Sequence, residues 1–390
     1  MKRALLSLLL VAAAAGVGPG TPVQASVLRA VDWQMYGYDL GHTGFNPDEH
    51  LLGPGNVMKL VKAWTFTDAT YASPPPTVVD GVVYVGSFDN NLYAVDAVTG
   101  TRLWAFPTGG SIVNSTAAVH RGVVYVGSTD DRLYAIDAAT GTERWSVLTI
   151  GDVRSSPMID GGALYVGSGD VGAVDGALYK INPSTGDVIW TAPTPAPIFE
   201  APAISDGLVY VGSDNQRLYA FDSATGRKRW WAELNGRPLN SPVVANGVVY
   251  ESTIVSPYTM GALYAFDAAT GRRMWRRKVA NGYGQSVASG VVYYSSSARH
   301  LVSARDAVTG AIIWTKPLPD NFPVTKPTVA NGLVYFGAWF NRVYAVDAAT
   351  GATEWIGLSS PDPEGEPTVV NGRVYVTCFG GDITAFRLSR

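Results

Sequence analysis

Cysteine is nearly missing from this 390-residue chain. Cys378 is the single one, so no disulfide can form within the chain and a buried core must carry its stability. Cys378 stands at a repeat position held elsewhere by Ser87 and Ser128, which reads as a small buried residue rather than a reactive thiol. Charge is also sparse. Charged residues make up 16% and the formal net charge is −3, which gives no electrostatic ground for nucleic acid or an anionic membrane as partner. Only four histidines occur, His42, His50, His120 and His300, and they share no ligand spacing, which argues against zinc. A Gly-x-Ser-x-Gly elbow and a phosphate-binding Gly-Lys-Ser/Thr loop are both lacking, so hydrolase and nucleotide readings have no residue to stand on.

Long hydrophobic runs are lacking too. The longest, Ala4 to Val17, follows Lys2 and Arg3 and precedes Val23-Gln24-Ala25. It is too short to cross a bilayer and reads as an export signal over residues 1–25, with Ser26 as the mature start. No cysteine lies there to accept a lipid. The expectation is a soluble, exported chain, periplasmic or extracellular, and monomeric.

What the chain has in abundance is repetition. GVVYVGSFDNNLYAVDAVTGTRLW at residues 81–104 returns as GVVYVGSTDDRLYAIDAATGTERW at residues 122–145. A Thr-Gly or related step recurs at Gly100, Gly141, Gly186, Gly226, Gly271, Gly310 and Gly351. Four residues after each stands a tryptophan: Trp104, Trp145, Trp190, Trp230, Trp275, Trp314 and Trp355. Their spacings of 41, 45, 40, 45, 39 and 41 residues suit a propeller blade of four short strands. Apolar positions alternate with period two, rich in Val and Tyr and punctuated by Asp, Asn and Gly, as strands joined by tight hairpins require. An eighth unit stops before its tryptophan, and Ala63-Trp64-Thr65-Phe66, in phase with the series, supplies the missing strand from the other end. The expectation is an all-β, eight-bladed propeller of four-stranded antiparallel blades over residues 61–390. Its ring is closed by the N-terminal strand near Trp64, with residues 26–60 as a lead-in.

In each unit glycine permits a tight turn, and the indole is placed to cover the next blade and donate its N–H to that blade's backbone. Ala94, Asp96, Gly100 and Trp104, and again Ala135, Asp137, Gly141 and Trp145, resemble the tryptophan-docking motif Ala-x-Asp-x-x-x-Gly-x-x-x-Trp of the propeller family named for pyrroloquinoline quinone (PQQ). Blade 3 departs from it at Lys180 and Asn182. The resemblance covers residues 60–390, and DWQMYGYDLGHTGFNP at residues 32–47 is similar to the family's lead-in. The family holds PQQ-dependent dehydrogenases and an outer-membrane assembly lipoprotein, so the resemblance implies a fold more firmly than an activity.

The repeat aspartates Asp96, Asp137, Asp222, Asp267, Asp306 and Asp347 recur once per blade and read as turn residues bonding their own backbone. Asp89, Asp130, Asp131 and Asp214 read as hairpin residues. Function is better sought where the repeat breaks. The residues just ahead of Pro76, Pro157, Pro202, Pro242, Pro327 and Pro367 should ring the mouth of the central channel. Most are small, as at Ser115, Thr116, Ser155 and Ser156, but Arg154, Glu200, Lys326 and Glu366 intrude, with Asn240 and Tyr283.

Family members that bind PQQ hold it over the channel with calcium, using acidic and Asn ligands and an aspartate base. The resemblance implies Glu200 and Asn240 as possible calcium ligands and Lys326 facing the quinone. Against this, Gly282-Tyr283-Gly284 has no carboxylate for the base, the family's adjacent cysteine pair is absent, and no Cys-x-x-Cys-His haem site exists.

Two insertions, Val171 to Asp175 and Ile254 to Thr259, should lie on the mouth face beside blade 4. On that face Phe88, Trp339, Phe340 and Phe379 fall in neighbouring blades 7, 8 and 1 and form a candidate partner surface. The sequence thus points to a non-catalytic binding or scaffold protein with a protein or envelope component as partner. The alternatives are a small PQQ- and calcium-dependent dehydrogenase of alcohols or sugars, with Glu200 or Glu366 as its base, and a glycan binder using the aromatic arc.

Overall fold

The computed structural model describes residues 31–71, 74–238, 240–255, 260–280, 282–296, 298–319 and 324–389. The expected export signal and the side chain of Tyr283 lie outside the described residues. Eight antiparallel sheets follow one another along the chain. Blade 1 is typical, with strands Thr77–Val79, Val82–Gly86, Asn91–Asp96 and Arg102–Pro107 running from the channel outward. Its first hairpin turns at Asp80-Gly81, both with positive φ (50° and 77°), the turn whose twist matches paired strands and which asks for Asp or Asn followed by Gly.

Ring closure is as expected. Leu60–Phe66 pairs antiparallel with Ile383–Leu388 and completes blade 8, whose inner strands are Thr368–Val370 and Arg373–Thr377. No helix among the described residues is long and apolar enough to cross a membrane.

Tryptophans join blade to blade. Trp64 Nε1 donates to Ala97 O (3.2 Å), Trp104 to Ala138 O (3.0 Å), Trp145 to Pro183 O (3.1 Å), and Trp190 to Ser223 O (3.3 Å). Trp230, Trp275 and Trp314 continue the series onto Ala268, Ala307 and Ala348. Each ring lies flat on the turn glycine of the next blade, so that a Cβ on Gly226, for example, would stand 2.8 Å from Trp190. The repeat aspartates shape that turn: Asp96 Oδ1 accepts from Val98 N and Thr99 N. At the seam between blades 7 and 8 the turn is missing, because blade 8 takes its outer strand from the other end of the chain. Trp355 Nε1 therefore turns to Leu60 O (3.2 Å), and its ring meets Phe386 edge-on.

Cys378 is fully buried, and burial pushes its thiol up to about 11, consistent with a packing role. Blade 5 gains a short fifth strand, Arg237–Pro238, and has longer strands Val248–Val255 and Met260–Asp267; residues 256–259 of the second insertion lie outside the described residues.

The lead-in does more than precede the ring. It winds around the channel and hydrogen-bonds to the innermost strands of blades 1, 2 and 4 to 8 in chain order. Trp33 exchanges two backbone hydrogen bonds with Val78 of blade 1. Gln34 O then accepts from Val119 N of blade 2, Leu40 O from Ile204 N of blade 4, Gly41 O from Val244 N of blade 5, Thr43 O from Val287 N of blade 6, and Gly44 O from Val329 N of blade 7. Asn46 Nδ2 donates to Val369 O of blade 8 (2.8 Å). An innermost strand is a sheet edge, and its N–H groups facing a closed channel would otherwise lack acceptors. The strap supplies them. Its glycines are forced by contact: a Cβ on Gly41 would lie 2.3 Å from Val244 O.

Candidate functional site

The mouth cavity sits above this strap. It encloses about 300 Å³ and is lined by Tyr36 from the strap, Phe199 and Glu200 from blade 4, Asn240 from blade 5, Lys326 from blade 7, and Glu364 and Glu366 from blade 8. Three of the sequence-predicted residues, Glu200, Asn240 and Lys326, thus share one wall system, and Glu366 joins them. Gly284 of blade 6 makes room: with φ at +113°, it takes a position where a Cβ would be 2.8 Å from Lys326 Cβ and 3.2 Å from Asn240 Oδ1.

Arg154 is not part of it. Its guanidinium pairs with Asp152 at 2.8 Å and stacks over Phe199. The small mouth residues prove to be fasteners between blades. Ser115 Oγ donates to Ser155 O (3.1 Å), Ser155 Oγ to Glu200 O (3.0 Å), and Ala201 N to Ser241 Oγ (2.9 Å).

Lys326 and Glu366 form a buried ion pair at 3.0 Å, their side chains 6% and 2% exposed. The ammonium also lies 4.3 Å from the centre of the Tyr36 ring and 3.3 Å from its hydroxyl. Burial alone would lower the lysine's pKa, but Glu366 and Tyr36 outweigh it and hold the ammonium firmly charged. Burial raises Tyr36 to about 12, against the pull of Lys326. Beneath it His42 meets Tyr36 edge-on and places Nδ1 3.1 Å from Pro242 O. Burial, and then the charge of Lys326, lowers His42 to about 3, so it is neutral, with the proton on Nδ1.

Glu200 is raised to about 8, first by burial and then by Asp214, with Arg237 and Lys326 opposing. Behind it Glu251 is fully buried where blades 1 to 4 carry Val85, Val126, Val166 and Val211. Its carboxyl is raised well above the usual range by burial and by Glu200. One oxygen accepts from Ser252 N at 3.0 Å, and the other has no partner among the described residues. Sequence reading missed Tyr36, Glu251 and Glu364. Glu251 had a visible signal, a carboxylate in a column of valines; Tyr36 had none, because nothing in the repeat places the lead-in inside the channel.

The loop acids behave as hairpin residues: Asp89 accepts from Thr70 N, Asn91 N and Tyr93 Oη, and Asp214 pairs with Arg237 at 2.8 Å. Asp131, however, lies with Asp152 and Asp170 in one cluster of carboxylates. Of the aromatic arc, Trp339, Phe340 and Phe379 are exposed. Phe88 is half-buried, and Tyr71 bridges it to Phe379 with ring centres 4.9 and 4.7 Å apart. Asp362 joins the loops of blades 7 and 8, accepting from Asn341 N (2.6 Å) and Phe379 N (2.7 Å).

Tryptophan-docked blades, a strand-closed ring of eight and a cavity over the channel define a class, the quinoprotein-like β-propellers. Within it the chain belongs to the PQQ-repeat family. The model described as outer membrane protein assembly factor BamB matches residues 108–201, 174–282 and 259–390, together well over half of the chain. The propeller domain of glucose, ethanol and alcohol dehydrogenases matches residues 33–126.

A quinohemoprotein alcohol dehydrogenase of Comamonas testosteroni is 29% identical over 89 residues, a stretch that spans 22% of this chain and 12% of that protein. Among solved structures, a europium-containing methanol dehydrogenase superposes with a TM-score of 0.78 at 16% identity, covering 92% of this chain and 98% of that one. BamB from Moraxella catarrhalis gives 0.68 at 18% identity, covering 84% and 99%. At these identities the likeness is one of fold.

The family implies PQQ, and the cavity's donor set can be tested against it. PQQ is a quinone bearing several carboxylates and calls for cations. Among the described residues the cavity offers one, Lys326, already paired with Glu366 and covered by Tyr36, against three carboxyl groups. Calcium needs six or more oxygen ligands, and to use Glu366 it would have to draw that carboxylate from its ion pair with Lys326. The residues present do not fit the quinone and its metal.

Proposed function

We propose that this chain is an exported propeller that works by binding, as a scaffold or receptor without redox chemistry of its own, through the face bearing the channel mouth. The observation that carries this reading is the pairing of Lys326 with Glu366 under Tyr36, which leaves no unpaired cation in the cavity among the described residues to receive a carboxylate-bearing quinone. The exposed aromatics Trp339, Phe340 and Phe379 on the same face support a protein or envelope component as partner. The family description, an outer membrane assembly factor, is in keeping with export. The test is titration of the purified chain with PQQ, with and without calcium, by calorimetry and absorbance. No saturable binding is expected; tight calcium-dependent binding, lost in Glu200→Gln, would overturn the reading.

One observation favours a second reading, a small PQQ-dependent dehydrogenase. Glu200, with a pKa of about 8 beside Asn240, has the near-neutral pKa a general base requires. Reduction of a dye by alcohols in the presence of PQQ, abolished in Glu200→Gln, would establish it.

A further inference from the structure

The cavity that does not fit the quinone has a chemistry of its own. We infer that it is a site for a small organic cation, an ammonium-bearing ligand of a few carbons, held by Glu364, Glu366 and Glu200 against the walls formed by Phe199 and Tyr36. This rests on the binding reading above and gives it a ligand class.

The first support is unmet hydrogen-bonding capacity. Glu366 is 4% exposed, and its Oε1 has no partner among the described residues; nor has the buried Oε2 of Glu364. Buried carboxylate oxygens are ordinarily bonded, and leaving them bare is costly. Acceptors without donors, lining one cavity, ask for a ligand that only donates. An alkylammonium has three donors and no acceptor.

Charge gives the second support. Lys326 and Glu366 cancel at 3.0 Å, which leaves Glu364 uncompensated, with Glu200 as a further carboxyl in the same cavity. A hard divalent ion is disfavoured, because it needs six or more oxygen ligands, more than the three carboxyl groups here supply. An ammonium group on a carbon stem needs fewer oxygens, and the stem uses the aromatic and proline surfaces of Phe199, Pro74 and Pro75. About 300 Å³ is at the small end of ligand pockets and suits a short chain.

Binding should be linked to protons. The titratable and charged groups facing Glu200 are Asp214 and Arg237 from blades 4 and 5, Lys326 across the channel mouth, Tyr36 of the strap, and Glu251 behind it. Glu200 is protonated below about pH 8, and a bound cation favours its ionised form. Ligand uptake therefore expels a proton, and affinity climbs as pH rises, by about eightfold between pH 7 and pH 8.5 for full coupling to a pKa of about 8.

The experiment is calorimetry on the purified chain with 1,4-diaminobutane, with 1,4-butanediol as its neutral isostere, and with calcium chloride. Titrations at pH 7 and 8.5, in buffers of different ionisation heat, read the proton release. Saturable diamine binding is expected, with no binding of the diol, at least tenfold weakening in Glu364→Gln, and loss of the pH dependence in Glu200→Gln. Melting curves of both variants check that they fold. Absence of diamine binding, equal binding of the diol, or calcium binding in place of the diamine would each overturn the inference. If the diamine fails and PQQ fails too, the binding reading survives without this ligand class. If PQQ binds, both fall together.

Discussion

Two tyrosines in equivalent places differ in what surrounds their hydroxyls. Tyr210 Oη donates to Ala268 O at 3.1 Å, beside the indole of Trp230. Tyr335 is fully buried at the same position of blade 7, and its hydroxyl has no partner among the described residues, because the blade 8 turn that would offer a carbonyl is missing. Tyr210→Phe should cost about 1 kcal/mol, the loss of one buried hydrogen bond, while Tyr335→Phe should be neutral or stabilising; urea midpoints of the two variants check this.

Glu200 yields a second outcome at this scale. Its folded pKa, raised from 4.5 to about 8, means that the folded state holds a proton the unfolded state releases. Stability from this group is full below pH 4.5 and is lost as pH rises to about 8. Glu200→Gln should therefore leave Tm unchanged at pH 4 and raise it at pH 8. Glu200 and Lys326 were legible in the sequence because they break a run of small residues. Their charge states were not, since those depend on burial and on Asp214 and Arg237 for Glu200, and on Glu366 and Tyr36 for Lys326, which converge from separate parts of the chain.

The unit of stability in this ring is a turn and the indole lying on it. Gly226 has φ of +70°, and any side chain there would meet Trp190 at 2.8 Å. Gly226→Ala combines a left-handed backbone with a steric conflict, and should cost about 2–4 kcal/mol, measured as a fall in the urea midpoint. The same change at Gly247, which has no neighbour within 4 Å, should cost only the backbone part, about 1–2 kcal/mol. This layer was almost wholly legible, because a period of about 41 residues with a fixed Gly-to-Trp offset leaves no other architecture. The exception is Trp355. Its tryptophan follows the pattern, but its partner turn is interrupted by the chain termini, so the indole docks on Leu60 instead.

For the molecule as a whole, two segments near the N-terminus have separate duties. Leu60–Phe66 closes the ring, and residues 33–46 fill the channel's inner edges. A chain beginning at residue 60 should keep a closed ring with a lower Tm. One beginning at residue 67 leaves Ile383–Leu388 as an open edge and should associate, as light scattering would detect. Closure was foreseeable from the phase of Trp64, whereas the strap was not, because its contacts are made by backbone carbonyls that no residue pattern marks.

The strap also acts as a ruler. It hydrogen-bonds to seven of the eight blades in the order in which the chain makes them, with Met35 packed against the cluster that includes blade 3, so its length is matched to a circumference of eight. A duplication or deletion of one repeat would leave amides without acceptors or carbonyls without donors along the channel. Gain or loss of a blade in this lineage therefore requires a compensating change in a segment that contains no repeat at all.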